Sequence, residues 1–341
     1  MIILGIETSC DETAVAVLDI ENGKKIFPKT KILSSLIASQ HDIHGPYGGI
    51  FPELASRRHI EVIRPMVEDA LKEAKVSSEK LAGIAVTNSP GLVGALLVGL
   101  SFAKSYAMGL GIPFIGVNHL EGHLNAPLLA HDKIPYPHLG LIVSGGHTAL
   151  YLVKKFGEYR YLGGTRDDAA GEAFDKVAKL LNLGYPGGPI VDKRAKEGDV
   201  KSIKFPKPKL PSYEFSFSGL KTFTRQLIEK NTQTTENICA SFQESVVDIL
   251  VEKTIAAAKA YRCPSIVLTG GVACNSRLRT KMTEAAIKAK KKAYIAPPVY
   301  CTDNAAMIGY VGGRYLLQGQ SSPLTLNAVA NVSFTNMAQT N

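Results

Sequence analysis

Two similar strand–turn–strand units, about 140 residues apart, constrain the fold of this chain more than any other feature. The first unit has an apolar strand at Ile2–Glu7, a polar turn, and a second strand at Ala14–Asp19. The second has a strand at Leu139–Val143, the turn Ser144–Thr148 and a return strand at Ala149–Lys154. We therefore predict two related α/β halves that each open with a β-hairpin.

A third unit has the order strand, Gly-Gly, helix. The apolar strand Ser265–Thr269 is followed by Gly270 and Gly271, and Ser276–Lys290 is predicted to be helical. The N-terminus of a helix favours anions, and turns of small residues let a phosphate approach backbone N–H groups. These units favour a nucleotide-type site, although each hairpin by itself could be an ordinary one. The pattern is neither G-x-G-x-x-G nor a P-loop.

The composition of the chain is that of a globular protein. Its 341 residues are 45% hydrophobic and 20% charged, which suggests two domains. The five cysteines form no C-x-x-C pair, so we expect free thiols and a cytoplasmic location. No secretory signal is visible. The apolar stretch Gly91–Ala103 is closed by Lys104, so we predict a buried helix and no membrane association.

Two histidines four residues apart, His119 and His123 in the string HLEGH, are compatible with a metal site. On a helix this spacing places both imidazoles on one face, where they can occupy two positions around an ion. Zinc peptidases use H-E-x-x-H, whereas Glu121 here projects about 200° away from His119 and is poorly placed as a general base. The spacing alone leaves a second interpretation open, namely two histidines with local hydrogen-bond partners.

Acidic residues are concentrated in Asp167–Lys176, which has the pattern of a capped helix start. The helix dipole accounts for Asp167 and Asp168. Asp175 lies further into the helix, where that explanation is weaker, so it could bind hydroxyl groups or a metal.

The segment Asp192–Arg225 is basic, with a net charge of +5 in a chain whose formal net charge is +9. Basic residues interleaved with aromatic ones can indicate nucleic-acid binding. The alternation of Phe215 and Phe217 is equally typical of a half-buried strand, which we predict for those two rings.

Eight strings, taken together and in order, carry a resemblance to a known family. The chain closely resembles the tRNA N(6)-adenosine threonylcarbamoyltransferase family, formerly labelled O-sialoglycoprotein endopeptidase, from residue 1 to about residue 325. No motif position departs from the family pattern. The strings are IETSCDET (6–13), NHLEGH (118–123), VSGGHT (143–148), DDAAGEAFDK (167–176), YPGGP (185–189), FSFSGLKT (215–222), TGGVACN (269–275) and CTDNAAM (301–307).

The resemblance implies an α/β fold of the actin, hexokinase and Hsp70 type (the ASKHA fold), with a nucleotide cleft between two duplicated lobes. The expected N-terminal lobe spans residues 1–138, carries the histidine pair, and is completed by residues from about 306 to 330. The C-terminal lobe spans 139–305 and carries the nucleotide-binding motifs. Residues 331–341 are expected to form a poorly ordered tail.

The resemblance also implies the reaction. A threonylcarbamoyl group passes from threonylcarbamoyl-AMP to the N6 amine of the adenosine immediately 3′ to the anticodon, in tRNAs that read ANN codons, and AMP leaves. Three alternatives stay open: a metallopeptidase, as the old label suggests, a small-molecule kinase of the ASKHA type, and a catalytically silent paralogue. Such a paralogue would be expected to lose the metal ligands.

Carried over residue by residue, the resemblance implies two sets of site residues, the metal ligands and the substrate-binding residues, and the chemistry of the reaction suggests a third. His119, His123 and Asp303 are expected to bind one divalent metal per subunit, with Fe(II) the expected ion and Zn(II) the alternative. We propose Asp11 and Glu12 as candidates for taking the amine proton. The expected substrate-binding residues are Ile142, Val143, Ser144, Gly145, Gly146, Asp175, Gly188, Asp192 and Asn275.

The expected partners come from the resemblance and not from the spacing of residues. They are tRNA, threonylcarbamoyl-AMP and, if the chain is bacterial, an inactive paralogue subunit (TsaB-like) and a small ATPase (TsaE-like). Part of the tRNA-binding surface is expected in the basic segment Asp192–Arg225.

Overall fold

The computed structural model divides the chain into two compact units. Unit 1 comprises Met1–Lys133 with the described residues from Asp303 onward, and unit 2 comprises Ile134–Thr302. The expected boundaries at 138 and 305 differ from these. Residues 134–138 belong to unit 2 because they lead into its sheet, and Asp303 belongs to unit 1 because it leads into a helix that packs there. The structure describes residues 1–23, 25–47, 49–207, 210–211 and 213–332, so that most of the expected tail lies outside it.

Unit 1 contains a five-stranded mixed sheet with helices packed on it. Its elements are β1 (Ile2–Glu7), β2 (Glu12–Ile20), β3 (Thr30–Ser39), α1 (His41–His44), α2 (Pro52–Ala74), β4 (Gly83–Ser89), α3 (Val93–Leu110), β5 (Phe114–Asn118) and α4 (His119–Asn125). The strand order is β3-β2-β1-β4-β5. Strand β4 is buried along its whole length, as expected for a strand covered on both faces.

Unit 2 contains a second five-stranded sheet. Its elements are β6 (His138–Val143), β7 (Thr148–Lys155), β8 (Glu158–Gly164), α5 (Ala170–Leu180), α6 (Gly187–Ala195), α7 (Ser218–Lys230), α8 (Thr235–Ala260), β9 (Ser265–Thr269), α9 (Ser276–Lys288), β10 (Lys292–Ile295) and α10 (Pro298–Cys301). The strand order is β10-β9-β6-β7-β8. The chain then returns to unit 1 with α11 (Ala305–Leu317).

The two sheets have the same topology, which confirms the predicted duplication. In each unit, the first three strands in chain order form an antiparallel meander. The next two strands add in parallel on the other side of the first strand. Strand β1 has the predicted bounds, and the other three hairpin strands are slightly longer than predicted: β2 begins at Glu12, so that Glu12 belongs to the strand and not to the turn.

Helix α3 is longer than the helix predicted at Gly91–Ala103. Lys104 does not end it, because its ammonium group reaches out to donate to the carbonyl oxygen of Leu326. By length and composition, α3 is the one helix among the described residues that could cross a membrane, and a third of it is buried within the unit. The prediction of a buried helix therefore holds only for one face of α3.

Asp167 does not cap the helix in which it was predicted. Helix α5 begins at Ala170, and the residue before it makes no side-chain cap. The carboxylate of Asp167 instead accepts hydrogen bonds from the backbone nitrogens of Phe217 (2.8 Å) and Ser218 (3.4 Å), at the start of α7. Asp167 thus satisfies the N-terminal N–H groups of a different helix.

The strand predicted at Phe215 and Phe217 was wrong. Both rings are wholly buried, and Phe215 forms only an isolated bridge with Thr165. Their alternation arises because the chain runs into the core of unit 2 just before α7 begins.

Glycine at position 5 lets α11 lie directly on β1. We expect a larger residue at this position to destabilise the protein. A Cβ added at Gly5 would lie 2.3 Å from the carbonyl oxygen of Ala305 and 2.9 Å from the backbone nitrogen of Gly309. Backbone atoms cannot move aside unless the helix shifts. We expect Gly5→Ala to lower the free energy of unfolding by about 3 kcal/mol, measured by chemical denaturation.

The control for this prediction is Gly109→Ala on α3, where an added Cβ would meet no atom within 4 Å. That variant should be as stable as the wild type or slightly more stable, because alanine is the better helix former. A Gly5→Ala protein as stable as the Gly109→Ala protein would contradict the close packing of α11 on β1.

Candidate active site

Helix α4 presents the histidine pair from inside unit 1. Its first turn is held by Asn118, whose side-chain oxygen accepts hydrogen bonds from the backbone nitrogens of Leu120 (2.9 Å) and Glu121 (3.3 Å). All seven residues of the helix are buried. His119 and His123 therefore lie on one helix, one turn apart.

The two imidazoles converge on one carboxylate oxygen. His123 Nε2 lies 3.1 Å and His119 Nε2 lies 3.4 Å from Oδ1 of Asp303. The three residues each offer a ligand atom within 4.8 Å of the others. Asp303 enters this group from the turn that precedes α11, about 180 residues later in the chain than the histidines.

The far side of His119 is held by a second carboxylate, that of Glu7. His119 Nδ1 lies 3.0 Å from Oε2 of Glu7 and 3.2 Å from the hydroxyl of Ser9. Glu7 has no exposed surface. It also accepts hydrogen bonds from the backbone nitrogen of Ser9 and from Thr87 Oγ1, both at 2.6 Å.

These two carboxylates determine the charge on His119. Burial alone would lower the pKa of His119, but Asp303 and Glu7 outweigh burial and raise that pKa to about 9. Burial alone would raise the pKa of Glu7, but His119 holds it below its usual value. His123 is different, because burial lowers its pKa despite the hydrogen bond to Asp303.

Glu121 does not belong to this cluster, as the helical phase predicted. Its carboxylate is buried and accepts a hydrogen bond of 2.6 Å from the hydroxyl of Tyr315 on α11. A metallopeptidase would need a base close to the metal. The structure gives Glu121 a different partner, so the peptidase alternative is not favoured.

The residues present fit a divalent transition metal. Two neutral imidazoles and one carboxylate are a donor set that iron and zinc share, and their ligand atoms already lie close together. The nitrogen of His119 that faces away from Asp303 has the carboxylate partner that metal-bound histidines usually have.

Asp11 and Glu12 lie where the first turn of unit 1 meets β2. His41, on α1, accompanies them: its Nε2 lies 3.9 Å from Oδ2 of Asp11 and 3.9 Å from Oε1 of Glu12. Burial, reinforced by Asp303 and Asp11, raises the pKa of Glu12 to about 10. This raised pKa favours the protonated form of Glu12 at neutral pH.

In unit 2 the turn between β6 and β7 is accessible. The backbone nitrogen of Ser144 donates to the carbonyl of His147 (2.7 Å), and the two glycines that follow Ser144 are exposed, with open space where a Cβ would be. Ile142 and Val143, by contrast, are fully buried in β6. Neither residue has exposed surface, so the structure gives these two predicted substrate-binding positions no accessible contact.

A hydrogen bond joins this turn to α5, the helix that carries Asp175, and a second bond joins Asp175 to the residue before Gly188. The backbone nitrogen of Gly171, in α5, donates to the carbonyl of Ser144 (3.1 Å). Further along α5, the carboxylate of Asp175 accepts a hydrogen bond of 2.7 Å from the backbone nitrogen of Gly187. Gly188 follows directly, with open space where a Cβ would be.

The last two predicted positions meet at the start of α9. Asp192, on α6, accepts hydrogen bonds from the hydroxyl (2.8 Å) and the backbone nitrogen (3.3 Å) of Ser276. Asn275 caps α9 by accepting from the backbone nitrogen of Leu278 (3.0 Å), and its amide donates to Gln243 (2.7 Å). All of the predicted substrate-binding residues therefore lie in unit 2, where separate hydrogen bonds hold Asp175 and Asp192 in place.

Sequence reasoning missed Glu7, Ser9, Thr87 and His41. One signal could have found Glu7: it ends the apolar strand β1, and a carboxylate at the end of a buried strand needs polar partners. No comparable signal marks the other three, because the groups that their side chains contact are distant in sequence.

The comparison with protein families gives a match over most of the chain. The model of the family "tRNA N6-adenosine threonylcarbamoyltransferase" matches residues 31–310. Relatives of that name include a protein of Syntrophotalea carbinolica, 50% identical over 338 residues that cover 97% of this chain and 96% of the relative. Another, of Thermosipho africanus, is 49% identical and covers 97% of this chain and 99% of the relative.

Solved structures share the fold at low sequence identity. Full-length HypF, in a phosphate- and nucleotide-bound form, matches 94% of this chain with a TM-score of 0.61 and 15% identity, and this chain spans 47% of that protein. The activator of the 2-hydroxyisocaproyl-CoA dehydratase from Clostridium difficile matches 95% of this chain and 99% of its own, with a TM-score of 0.51 and 13% identity. These likenesses confirm the ASKHA-type α/β fold.

The family model, the relatives that match nearly end to end, and the fold agree with one another. The chain belongs to the tRNA N6-adenosine threonylcarbamoyltransferase family and is a transferase that modifies tRNA.

Proposed function

We propose that the enzyme transfers the threonylcarbamoyl group from threonylcarbamoyl-AMP to the N6 amine of the adenosine immediately 3′ to the anticodon. The tRNA substrates would be those that read ANN codons, and AMP would be released. The observation that carries this proposal is the presence of two kinds of site in one chain. Unit 1 has two imidazoles and a carboxylate with converging ligand atoms, and unit 2 has an exposed glycine turn and two carboxylates held by hydrogen bonds.

Unit 2 would hold the adenylate part of the donor. The turn 144–146 would receive the phosphate at Gly145 and Gly146, which are exposed and have no side chain to keep a phosphate from the backbone. Asp175 and Asp192 would accept hydrogen bonds from the ribose hydroxyls. Each carboxylate also accepts a bond from a backbone nitrogen, which fixes its orientation. Gly188 and Asn275 would line the nucleoside.

The chemistry needs positioning and polarisation more than a protein nucleophile. The donor is a mixed anhydride and is already activated, whereas the amine of adenine is a poor nucleophile. A divalent ion held by His119, His123 and Asp303 would supply Lewis-acid polarisation of the carbamoyl carbonyl. A bond forms between N6 and the carbamoyl carbon, the bond from that carbon to the phosphate oxygen breaks, and AMP leaves as the anion.

The amine must also lose a proton, and Asp11 is our candidate acceptor. Glu12 is its neighbour but already carries a proton, because its pKa is raised to about 10. We therefore assign Glu12 the part of a hydrogen-bond donor and Asp11 that of the general base. His41, near both carboxyl groups, could pass the proton to solvent.

The metal site should show a pH dependence set by His119. We propose one Fe(II) per subunit, with Zn(II) as the alternative. The pKa of His119 is raised to about 9 in the metal-free protein, so below that pH a proton must leave before the imidazole can bind an ion. Affinity for Zn(II) should therefore rise about tenfold per pH unit up to about pH 9, measured by chelator competition. Affinity that does not change with pH over that range would contradict this assignment.

Binding of tRNA should depend on the basic segment Asp192–Arg225. Lys204 is exposed, Lys207 is exposed and pairs with Glu252 at 2.6 Å, and Lys209 lies outside the described residues. Reversing these three lysines to glutamate should weaken tRNA binding and reduce the slope of log Kd against log salt by about two units, because phosphate contacts release counterions.

The control for the tRNA prediction is a charge reversal on unit 1, Lys72→Glu at an exposed position of α2. It should leave the salt slope unchanged. If the triple variant bound tRNA with the wild-type salt slope, the tRNA surface would lie elsewhere.

We also propose an inactive paralogue (TsaB-like) and a small ATPase (TsaE-like) as partners if the chain is bacterial. Three large apolar residues are exposed at the surface of unit 1: Ile60 on α2, and Val93 and Leu97 on α3. Their exposure supports docking of another protein. The described cysteines are free, which supports a cytoplasmic location. Size-exclusion chromatography of the chain with each partner tests association, and no shared peak would reject it.

The substrate proposal is tested with purified threonylcarbamoyl-AMP, the chain with its two partner proteins, and two tRNAs. One tRNA reads an ANN codon, and the other is the same transcript with guanosine in place of the target adenosine. Mass spectrometry of the nucleosides should show threonylcarbamoyladenosine only in the first. Equal modification of both transcripts would reject the proposed target, and no modification in either would reject the proposed donor.

A further inference from the structure

Glu7 is a buried carboxylate that the proposed reaction does not use directly. It has no exposed surface, and it lies at the end of β1. Three donors surround it. Oε1 accepts from the backbone nitrogen of Ser9 (2.6 Å), and Oε2 accepts from Thr87 Oγ1 (2.6 Å) and from His119 Nδ1 (3.0 Å). A buried anion is stable only with partners of this kind.

This arrangement leaves His119 one way to bind an ion. Because Oε2 of Glu7 can only accept, Nδ1 of His119 must carry the proton of the hydrogen bond. Nε2, on the other side of the ring, is then the nitrogen available to a metal, and it is the nitrogen that faces Asp303 at 3.4 Å. Ser9 and Thr87 hold the carboxylate from two other sides, so Glu7 cannot turn away from the ring.

The second histidine of the pair differs in this respect. Among the described residues, Nδ1 of His123 is buried and has no hydrogen-bond partner. Only His119 has an outer carboxylate to fix its ring and to increase the electron density on its metal-binding nitrogen.

We propose that Glu7 is a positioning residue for the metal, which orients His119 and fixes its Nδ1–H tautomer so that Nε2 binds the ion. The inference rests on the proposed metal site and deepens it. A competing explanation is that Glu7 only ties β1 to β4 through its bond to Thr87. In that case the loss of either partner of that bond should have the same effect.

The test compares Zn(II) affinity, by chelator competition, in the wild type and in Glu7→Gln, Thr87→Val and His119→Ala. Glutamine cannot satisfy all three donors, since its amide nitrogen would face one of them. Glu7→Gln should weaken Zn(II) binding by about 10-fold to 100-fold. Thr87→Val keeps the carboxylate beside His119 and should change the affinity by no more than about threefold. His119→Ala should lose the high-affinity site.

A second measurement does not depend on how well the variants fold. The long-range 15N–1H spectrum of the Zn(II)-loaded wild type should show His119 with a protonated Nδ1 and a metal-bound Nε2. A metal-bound Nδ1 would overturn the inference, as would equal weakening in Glu7→Gln and Thr87→Val, or wild-type affinity in Glu7→Gln. A wild-type protein that binds no Zn(II) or Fe(II) would instead refute the metal site itself, and the two failures are therefore distinguishable.

Discussion

Replacing Asp303 with alanine is expected to remove the bound metal and to slow threonylcarbamoyl transfer by about 1000-fold or more, which corresponds to about 4 kcal/mol. Asp303 is the one carboxylate of the proposed ligand group, and its Oδ1 lies within 3.4 Å of Nε2 of both histidines. Without it the two imidazoles remain, but the site loses its negative charge and its third donor. Metal content by mass spectrometry and single-turnover transfer measure the two effects.

The matched control is Asp132→Ala, an exposed aspartate of the same unit. It should keep the wild-type metal content and rate, since surface substitutions of this kind change little. Asp303→Ala protein that retains stoichiometric metal and transfers at the wild-type rate would show that the converging donors have no part in the reaction.

The second large effect is expected at Asp11. Asp11→Asn should slow transfer by about 100-fold or more, because the variant has no carboxylate to take the amine proton. Glu12→Gln should retain activity within about threefold, because Glu12 is already neutral at pH 7 and glutamine can still donate a hydrogen bond. Burial is the leading cause of the raised pKa of Glu12, and burial does not depend on the charge of Asp303.

The measurement for this pair is single-turnover transfer at saturating donor, with donor binding measured separately by calorimetry. Both variants should bind threonylcarbamoyl-AMP as the wild type does. If Glu12→Gln were the slow variant and Asp11→Asn the active one, the assignment of base and donor would be reversed.

The duplication could be predicted from the sequence, because local patterns of apolar and polar residues indicate both hairpins. An apolar strand, a polar turn and a return strand are short-range features, and both hairpins formed within a few residues of their predicted bounds. The helix that carries the histidine pair is also local in origin, because the Asn118 side chain next to it in the sequence caps it. The cap favours a helix at these seven residues, and their burial in unit 1 stabilises the same helix.

Contacts between residues far apart in the sequence could not be predicted from local patterns. Asp303 could be predicted to lie beside the histidines only from the family resemblance, since the residues around it in the sequence do not indicate a partner far away in the chain. Asp167 was assigned to the wrong helix for the same reason, as its partners at Phe217 and Ser218 come from a later segment. The second carboxylate on His119, that of Glu7, likewise depends on how β1 and α4 pack.

We propose that the metal site of unit 1 and the adenylate-binding residues of unit 2 serve one transfer reaction. The most direct test is to strip the protein of metal, titrate it with Fe(II) under anaerobic conditions, and record occupancy and single-turnover transfer from threonylcarbamoyl-AMP to tRNA in the same samples. We expect no transfer without metal, and transfer that rises in proportion to occupancy and levels off at one ion per subunit. Full transfer by the metal-free protein would contradict the account.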